Sequence, residues 1–468
     1  MDIEGLKRDL GGIAVEENPN IVRMKSRDAY WFSPILKQEL DDVVADIVLT
    51  PKNEADVVRI ARSCYARNIP ITVRGAGTGN YGQSMPLSGG VLLDMTSMKS
   101  VKSIAQGSVV AEAGAVMAEI DRQTRAHSGQ ELRMHPSTYH TATIGGFVAG
   151  GSSGIGSIKW GGLRDAGNVI RLRVVTMEAE PRVLDLFGDD LQKVTHAYGT
   201  NGILTEVEMP LAPAYDWVDA IVEFEDFMEA ARFANTLGSQ DGILTKLISV
   251  IAAPTPHAYF KRHQKFLTAG RHAVLLMLAP NAMSPFEAFV AKFPGNVCFR
   301  SDREVDLKGL PPIYELSWNH TTLRAMKVEP GYTYLQSLFP FPNQMALVRR
   351  SVELFGDEVP AHLEFLRFDG NVTCFGLPLL RYSTPERLDE IMRLHEENGI
   401  PIFNPHRYTL EEGGMKQTDE VQLAFKKEAD PKGLLNPGKM VAWDNPDFDF
   451  DDGKVYLYPG IKRTHAAA

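Results

Sequence analysis

Between Pro70 and Gly82 the chain reads Pro-Ile-Thr-Val-Arg-Gly-Ala-Gly-Thr-Gly-Asn-Tyr-Gly, with glycine at 75, 77, 79 and 82. β-Branched residues lead into a loop whose glycines can take positive φ and carry no Cβ. Several backbone N–H groups can therefore converge on one anion. The loop Arg74-Gly75-Ala76-Gly77-Thr78-Gly79-Asn80 suits a pyrophosphate, and so a dinucleotide cofactor. Gly77-x-Gly79-x-x-Gly82 matches the Rossmann pattern, which has its meaning only where the loop opens a helix. Met85-Pro86, Ser88-Gly89-Gly90 and the aliphatic run Val91 to Met95 follow instead, indicating a turn and another strand. The Rossmann reading fails, and the amides must cradle the phosphates themselves.

Two further stretches carry groups suited to acid–base work. Trp318-Asn319-His320-Thr321-Thr322-Leu323-Arg324 is dense in polar donors, and His320 and Arg324, four apart, share a face if the segment is helical. Arg324 can hold a carboxylate through two parallel hydrogen bonds; the alternative is a solvated helix face with an ion pair. His406, in Phe403-Asn404-Pro405-His406-Arg407-Tyr408, has the pKa range of a general base at neutral pH. Its alternative is a loop histidine with only structural hydrogen bonds. Tyr334 and Arg381 are further candidates, set against packing and a surface charge respectively.

These residues sit in a chain of 468, long enough for two or three domains, with hydrophobic and charged fractions ordinary for a globular protein. Its 59 acidic and 49 basic residues give a net charge of −10, which argues against nucleic acid and anionic membranes as partners. A local basic pocket for an anion is still compatible with that balance. Cys64, Cys298 and Cys374 form no CxxC pair, giving neither a disulfide framework nor a zinc site and pointing to a reducing compartment. The first eight residues lack the apolar core of a signal peptide, and the clearest later apolar run, Ala273 to Ala279, is too short to cross a bilayer. The expected location is cytoplasmic.

The elements that position the glycine loop are legible around it. Asp46-Ile47-Val48-Leu49 reads as a strand closed by Thr50-Pro51. Asn53 is then an N-cap with Asp56 at the third helical position, and Val57, Ile60, Ala61 and Cys64 recur at helical spacing over 54–67. The strand 71–73 follows, giving β-α-β, the loop, then β: an α+β layer. A strand over 109–114 and a helix over 117–127 come next. Gly145 to Gly162 holds eight glycines in eighteen residues, interleaved with Ile144, Phe147, Val148, Ile155, Ile158 and Trp160. So much apolar bulk favours backbone hugging a ligand over a flexible linker, and Gly151, Gly154 and Gly156 are taken as part of it. Strands return over 169–186 and after the glycine turn at 199–202. Pro210 and Pro213 mark a boundary, beyond which amphipathic helices (224–237, 385–398) and strands such as 273–279 alternate.

In order, these motifs resemble the FAD-binding oxidoreductases of the vanillyl-alcohol oxidase and p-cresol methylhydroxylase superfamily. The strand-helix-strand into Arg74–Gly79 resembles the start of that flavin domain. His135-Pro136-Ser137-Thr138 through Thr143-Ile144-Gly145-Gly146 looks like its second flavin loop. Trp160–Asp165 and Gly199-Thr200-Asn201-Gly202-Ile203-Leu204-Thr205-Glu206 fit the following elements. Ala429-Asp430-Pro431-Lys432-Gly433-Leu434-Leu435-Asn436-Pro437-Gly438-Lys439 resembles the closing signature of the branch with glycolate oxidase subunits and D-lactate dehydrogenases. The resemblance covers most of 40–215 and 400–440.

It implies an α+β fold: a two-subdomain FAD-binding domain over 1–215, an α+β cap holding the substrate over 216–425, and a return to the first domain over 426–468. It implies cofactor contacts from Arg74 to Asn80, Pro136, Ser137, Thr138, Thr143, Gly145, Gly146, Gly202 and Ile203, with Asn436 and Lys439 near the flavin. For the last two the alternative is a helix stop. The implied chemistry is hydride transfer from a small hydroxy acid or related alcohol to flavin N5, the electrons passing on to oxygen or another acceptor. His406 falls where the family has a Glu-His-Gly element and is the preferred base, with Arg324 the preferred carboxylate anchor. Residues 74–83 contain neither His nor Cys, and the second loop has no cysteine, so the FAD is expected to be non-covalent. Leu366-Arg367-Phe368-Asp369-Gly370-Asn371-Val372-Thr373 stands where relatives carry His-x-Gly-Asp-Gly-Asn-x-His; without both imidazoles no metal is assigned. Rival readings are oxidation of a phenolic or benzylic alcohol in a slot of Tyr334, Trp318 and Phe403, a flavoprotein subunit without independent catalysis, and a plain nucleotide-binding module. The expected partners are a small anionic or aromatic substrate and an electron acceptor the sequence does not name; a homodimer is the assembly considered.

Overall fold

The computed structural model describes residues 1–151, 153–413 and 420–449. The chain divides into two compact units, Met1–Ser152 with Leu163–Ala214 and Asn404–Ala468, and Ser153–Gly162 with Tyr215–Phe403. The long excursion into the second unit begins just after Pro213, at Tyr215. The return comes at Asn404, earlier than the expected 426, and the short segment 153–162 belongs to the second unit. Hydrogen bonds account for both shifts. The Phe403 N–H still donates to Gln336 O (2.8 Å), whereas the Leu410 N–H donates to Lys439 O (2.8 Å) and Glu411 accepts from the Val441 and Ala442 amides. Gly156 N–H donates to Lys246 O (2.8 Å), tying 153–162 to the second unit. Of the expected return segment, 450–468 lie outside the described residues.

The first unit has two sheets. Ile47–Thr50, Val91–Asp94 and Ile71–Arg74 pair in parallel, and Ala14–Glu16 adds an antiparallel edge. The helix Glu54–Arg67 crosses between the first and last of these. The Asn53 side chain caps it by accepting from the Asp56 N–H (2.9 Å), and Asn68 ends it at φ 52°. Its buried face is Val57, Ile60, Ala61 and Cys64, packed on Ile47, Leu49, Ile71, Val91 and Leu93. The second sheet is antiparallel, ordered Val101–Ala105, Ser108–Glu112, Ile203–Pro213, Arg171–Val175, Val183–Phe187, with Gln130–Leu132 also beside 203–213. Along 171–175 the arginines face outward to Asp185, Glu206 and Glu54 while Leu172 and Val174 are buried.

The second unit is a seven-stranded antiparallel sheet: Asn296–Arg300, Val218–Phe224, His272–Leu278, Thr245–Ile251, His362–Phe368, Asn371–Gly376, Ser337–Phe339. Phe227–Gly238, Met283–Val290 and Gln344–Phe355 supply Phe233, Leu237, Phe286, Phe289 and Val348 to a core with Val222, Val250, Leu276 and Phe365. The helix expected from 224 begins at Phe227 because Phe224 ends a strand and Asp226 caps the helix, accepting from the Glu229 N–H (2.8 Å). The stretch Leu366 to Thr373 is a hairpin whose turn is Asp369 (φ 53°) and Gly370 (φ 76°).

The C-terminal motif completes the parallel sheet. Ile71 N–H donates to Leu434 O and Asn436 N–H to Ile71 O, both at 2.8 Å, so Leu435 lies parallel against the open edge of strand 71–74. Asp430 holds this segment: its carboxylate accepts from the Leu434 and Leu435 N–H groups and from buried Lys426 (2.7 Å). Removing that carboxylate strands a buried ammonium. Asp430→Ala is expected to destabilise the first unit by about 3–5 kcal/mol, and Lys426→Met with Asp430→Leu by less, as measured by urea unfolding.

Candidate cofactor and active site

The glycine loop leaves the end of strand 71–74 and folds back against the second loop. A Cβ on Gly75 would lie 2.1 Å from Thr143 Oγ1, so the loops meet where only glycine fits. Thr143 is engaged there: its hydroxyl caps the helix Ile144–Gly150, accepting from the Gly146 N–H (3.3 Å). Thr138 Oγ1 donates to Thr78 Oγ1 (3.5 Å), a second and weaker link between the loops. Gly77 has φ +66°, and the Arg74 guanidinium lies where its side chain would be. That guanidinium donates to Arg27 O and to Ala76 O (3.2 Å). Gly145 is pressed on Ala113, where a Cβ would be 2.6 Å from the alanine's own.

The decisive feature is what the loop leaves over. Among the described residues, the backbone N–H groups of Ala76, Gly77, Thr78 and Gly79 donate to no protein acceptor, and all four residues are half-buried. Such donors normally find partners. Four consecutive ones on a glycine loop fit the oxygens of a diphosphate, and no helix N-terminus is involved.

Fully buried groups hold the loop from behind. Lys439 Nζ donates to Gly82 O (2.6 Å) and lies 4.7 Å from the centre of the Tyr408 ring. Asn436, at φ 42°, donates through Nδ2 to Gln83 O (2.8 Å) and Tyr198 O (2.7 Å), and its Oδ1 accepts from Thr72 (3.4 Å). Its side chain braces three segments, and the helix Glu420–Ala429 has already ended by then. Asp28, which the sequence did not single out, accepts from the Tyr30 and Ser84 N–H groups (3.0 and 3.1 Å). Burial pushes the Asp28 carboxyl up and the Lys439 ammonium down, and the mutual attraction of the two opposes both shifts. Nothing local marks Asp28 as a partner of a lysine so distant in sequence.

Gly151 takes φ +71° at the end of helix 144–150, over the His196 ring. Gly202 is packed on Val174 and begins the buried strand that opens with Ile203. Pro136 is half-buried and Ser137 buried, beside His135. Gly154 and Gly156, with φ +138° and +105°, belong to the second unit.

His406 lies in the first unit, fully buried, with Nδ1 2.8 Å from Ser33 Oγ. Ser33 Oγ also accepts from the Leu36 N–H (3.1 Å) and caps the helix Pro34–Leu40. The His406 N–H donates to Asn404 Oδ1 (2.9 Å).

The remaining candidates are in the second unit. His320 and Arg324 share one face of the helix Asn319–Met326. Arg324 donates to the Glu315 carboxylate (3.1 Å) and carbonyl (3.4 Å), the ion pair of its alternative reading. Arg381 is 69% exposed, paired with Glu329 and set against the Tyr332 ring, the arrangement of a surface charge. Tyr334 is fully buried in the ribbon it forms with Leu379. Sequence reasoning missed the buried carboxylate of Glu364, which accepts from His362 Nε2 (2.7 Å), Ser249 and the Trp318 N–H. These anchor Trp318 at φ +51°, a strained backbone for a bulky residue.

Comparison with known proteins agrees with this geometry. Residues 45–185 match the model of the FAD binding domain family. The chain is 30% identical to the mitochondrial cytochrome D-lactate dehydrogenase of Arabidopsis thaliana, over 85% of this chain and 74% of that protein. It is 30% identical to the glycolate oxidase subunit GlcD of Escherichia coli, over 84% and 83%. With the Bacillus subtilis GlcD it shares 28% over 85% and 89%. A solved alkyldihydroxyacetonephosphate synthase has the same fold, with TM-score 0.70 and 17% identity over 93% of this chain and 84% of that one. The chain belongs to the FAD-binding oxidoreductases of the vanillyl-alcohol oxidase and p-cresol methylhydroxylase superfamily, in the group that includes these glycolate oxidase subunits and D-lactate dehydrogenases. Its cofactor is FAD.

Gly75→Ala must push Thr143 aside and break its cap. The variant is expected to retain FAD at least about tenfold more weakly, read from the flavin-to-protein absorbance ratio after gel filtration. His263 and His320 are both lowered to about 4, first by burial and then by Arg324. Both stay neutral in the folded unit while the unfolded chain takes up protons between pH 6.5 and 4. Stability is therefore lost as pH falls through that window, by roughly 3 kcal/mol for the more deeply buried His263. Urea midpoints at about pH 7 and about pH 4.5 should differ less in His263→Gln.

Proposed function

We propose that the protein oxidises a small 2-hydroxy acid or related alcohol, with His406 as general base and Arg324 as carboxylate anchor. The observation that carries this is similarity, over 84–85% of the chain, to proteins named for glycolate and D-lactate oxidation. FAD, when bound, supplies the two-electron acceptor at N5. The chain's own part is to hold the acid and take its hydroxyl proton. Ser33 Oγ, which accepts from the Leu36 N–H, is placed to accept also from His406 Nδ1–H, and the proposal takes His406 in that tautomer. That tautomer puts the basic lone pair on Nε2, the atom that accepts the proton. Arg324, its guanidinium oriented by Glu315, provides the cation for the carboxylate.

The FAD is held without a covalent bond, since 74–83 contain neither His nor Cys. A cytoplasmic setting accords with three unpaired cysteines, and no helix among the described residues is long and apolar enough to cross a membrane. Acid-denatured protein should pass its yellow colour through an ultrafilter; colour kept by the polypeptide contradicts the non-covalent reading. Anaerobic mixing with a panel of 2-hydroxy acids should bleach the flavin, and bleaching by phenolic alcohols alone would overturn the substrate class. His406→Ala is expected to slow bleaching by about 10²–10⁴-fold, and reduction at the parental rate removes the histidine from the role.

A further inference from the structure

The second unit contains a small cavity, about 160 Å³, whose wall carries Lys261, Arg262, Arg324 and Lys327 over apolar Phe260 and Leu316. Three of the four cations are uncompensated: among the described residues Lys261, Arg262 and Lys327 form no ion pair. Arg171, Arg173, Arg300 and Arg387 each have at least two acidic partners, whereas these four neighbouring cations share the single carboxylate of Glu315, a local excess of positive charge. Two acidic groups on the neighbouring stretches of chain are already engaged. Glu315 is bonded to Arg324, and Glu329 to Arg381 and the Tyr259 hydroxyl (2.7 Å). Tyr259 spends its hydroxyl there and on Tyr332, so it adds ring surface to the cavity. Buried His263 and half-buried His320, beside these cations, are held neutral first by burial and then by the positive charge of Arg324. A concave site of one sign with apolar walls concentrates counter-charge.

We propose that this cavity is an oxyanion-binding site, taking the carboxylate or phosphate of a small organic molecule and packing its carbon body on Phe260 and Leu316. The inference rests on the reading of Arg324 as an anion contact and extends it to Lys261, Arg262 and Lys327. It does not depend on turnover. Arg324 is oriented in advance by Glu315, which lowers the ordering cost of gripping a planar oxyanion. The exposed lysines and Arg262 add long-range attraction that salt weakens.

The test is calorimetric titration of the FAD-loaded full chain with succinate, which has no hydroxyl to oxidise, and separately with inorganic phosphate. Saturable binding by at least one is expected, weakening as salt rises and about tenfold or more weaker in Lys261→Ala with Lys327→Ala, two exposed positions whose loss leaves the fold intact. Dimethyl succinate should not bind. The probe that binds more tightly identifies the oxyanion. Absence of saturation with both probes, or equal affinity in the double variant, overturns the site. Succinate binding without bleaching by any hydroxy acid sinks the substrate class and spares the site; bleaching without binding does the reverse.

Discussion

Four neighbouring amides, Ala76 to Gly79, donate to nothing among the described residues, and the first unit is arranged to keep them that way. Donors without a protein acceptor would be re-aimed if the loop were free to move. It is not free. Ala29 N–H donates to Gly79 O, Tyr81 N–H to the Gln83 side chain, Lys439 to Gly82 O and Asn436 to Gln83 O. The anchors take the carbonyls and the flanking amides, and leave the donors of the central stretch for a ligand.

That arrangement explains why the end of the chain is rich in buried polar groups. Asp430, Lys426, Asn436 and Lys439 are all fully buried, an expensive set unless each is paired. Each is. Lys426 is satisfied by Asp430 and the Thr200 and Leu435 carbonyls, Asp430 by two amides, Asn436 by three segments and Lys439 by the Gly82 carbonyl. A hydrophobic substitute would fill the volume without fixing the register of 434–436 on strand 71–74. That register sets where the loop begins.

In the second unit the polar groups are distributed differently. One sheet face packs on helices and is apolar, while the other carries Glu364, His362 and Ser249 in one closed hydrogen-bonded set. The set reaches the helix of His320 and Arg324 through the Trp318 amide, fixing where that helix starts. Glu364 is thus a buried carboxylate that positions its neighbours, with three donors converging on it and no capacity spent on solvent.

Much of this was legible in the residues. The helix 54–67, its cap at Asn53, its buried face and the strand-loop-strand around Arg74 follow from local spacing and capping, which act over a few residues. Glycine content marked the loop because positive φ and the absence of Cβ are properties of single residues. Local chemistry could not tell that Arg381 would be exposed, that Arg324 would meet Glu315, or that 404–413 would rejoin the first unit. Nor could it pair Asp28 with Lys439 or set Thr143 against Gly75, because burial and long-range contact come from the packing of elements distant in sequence. The sequence alone determined which backbone could grip an anion; only the tertiary structure decided which side chains hold that backbone open, since those contacts exist nowhere before the chain has folded.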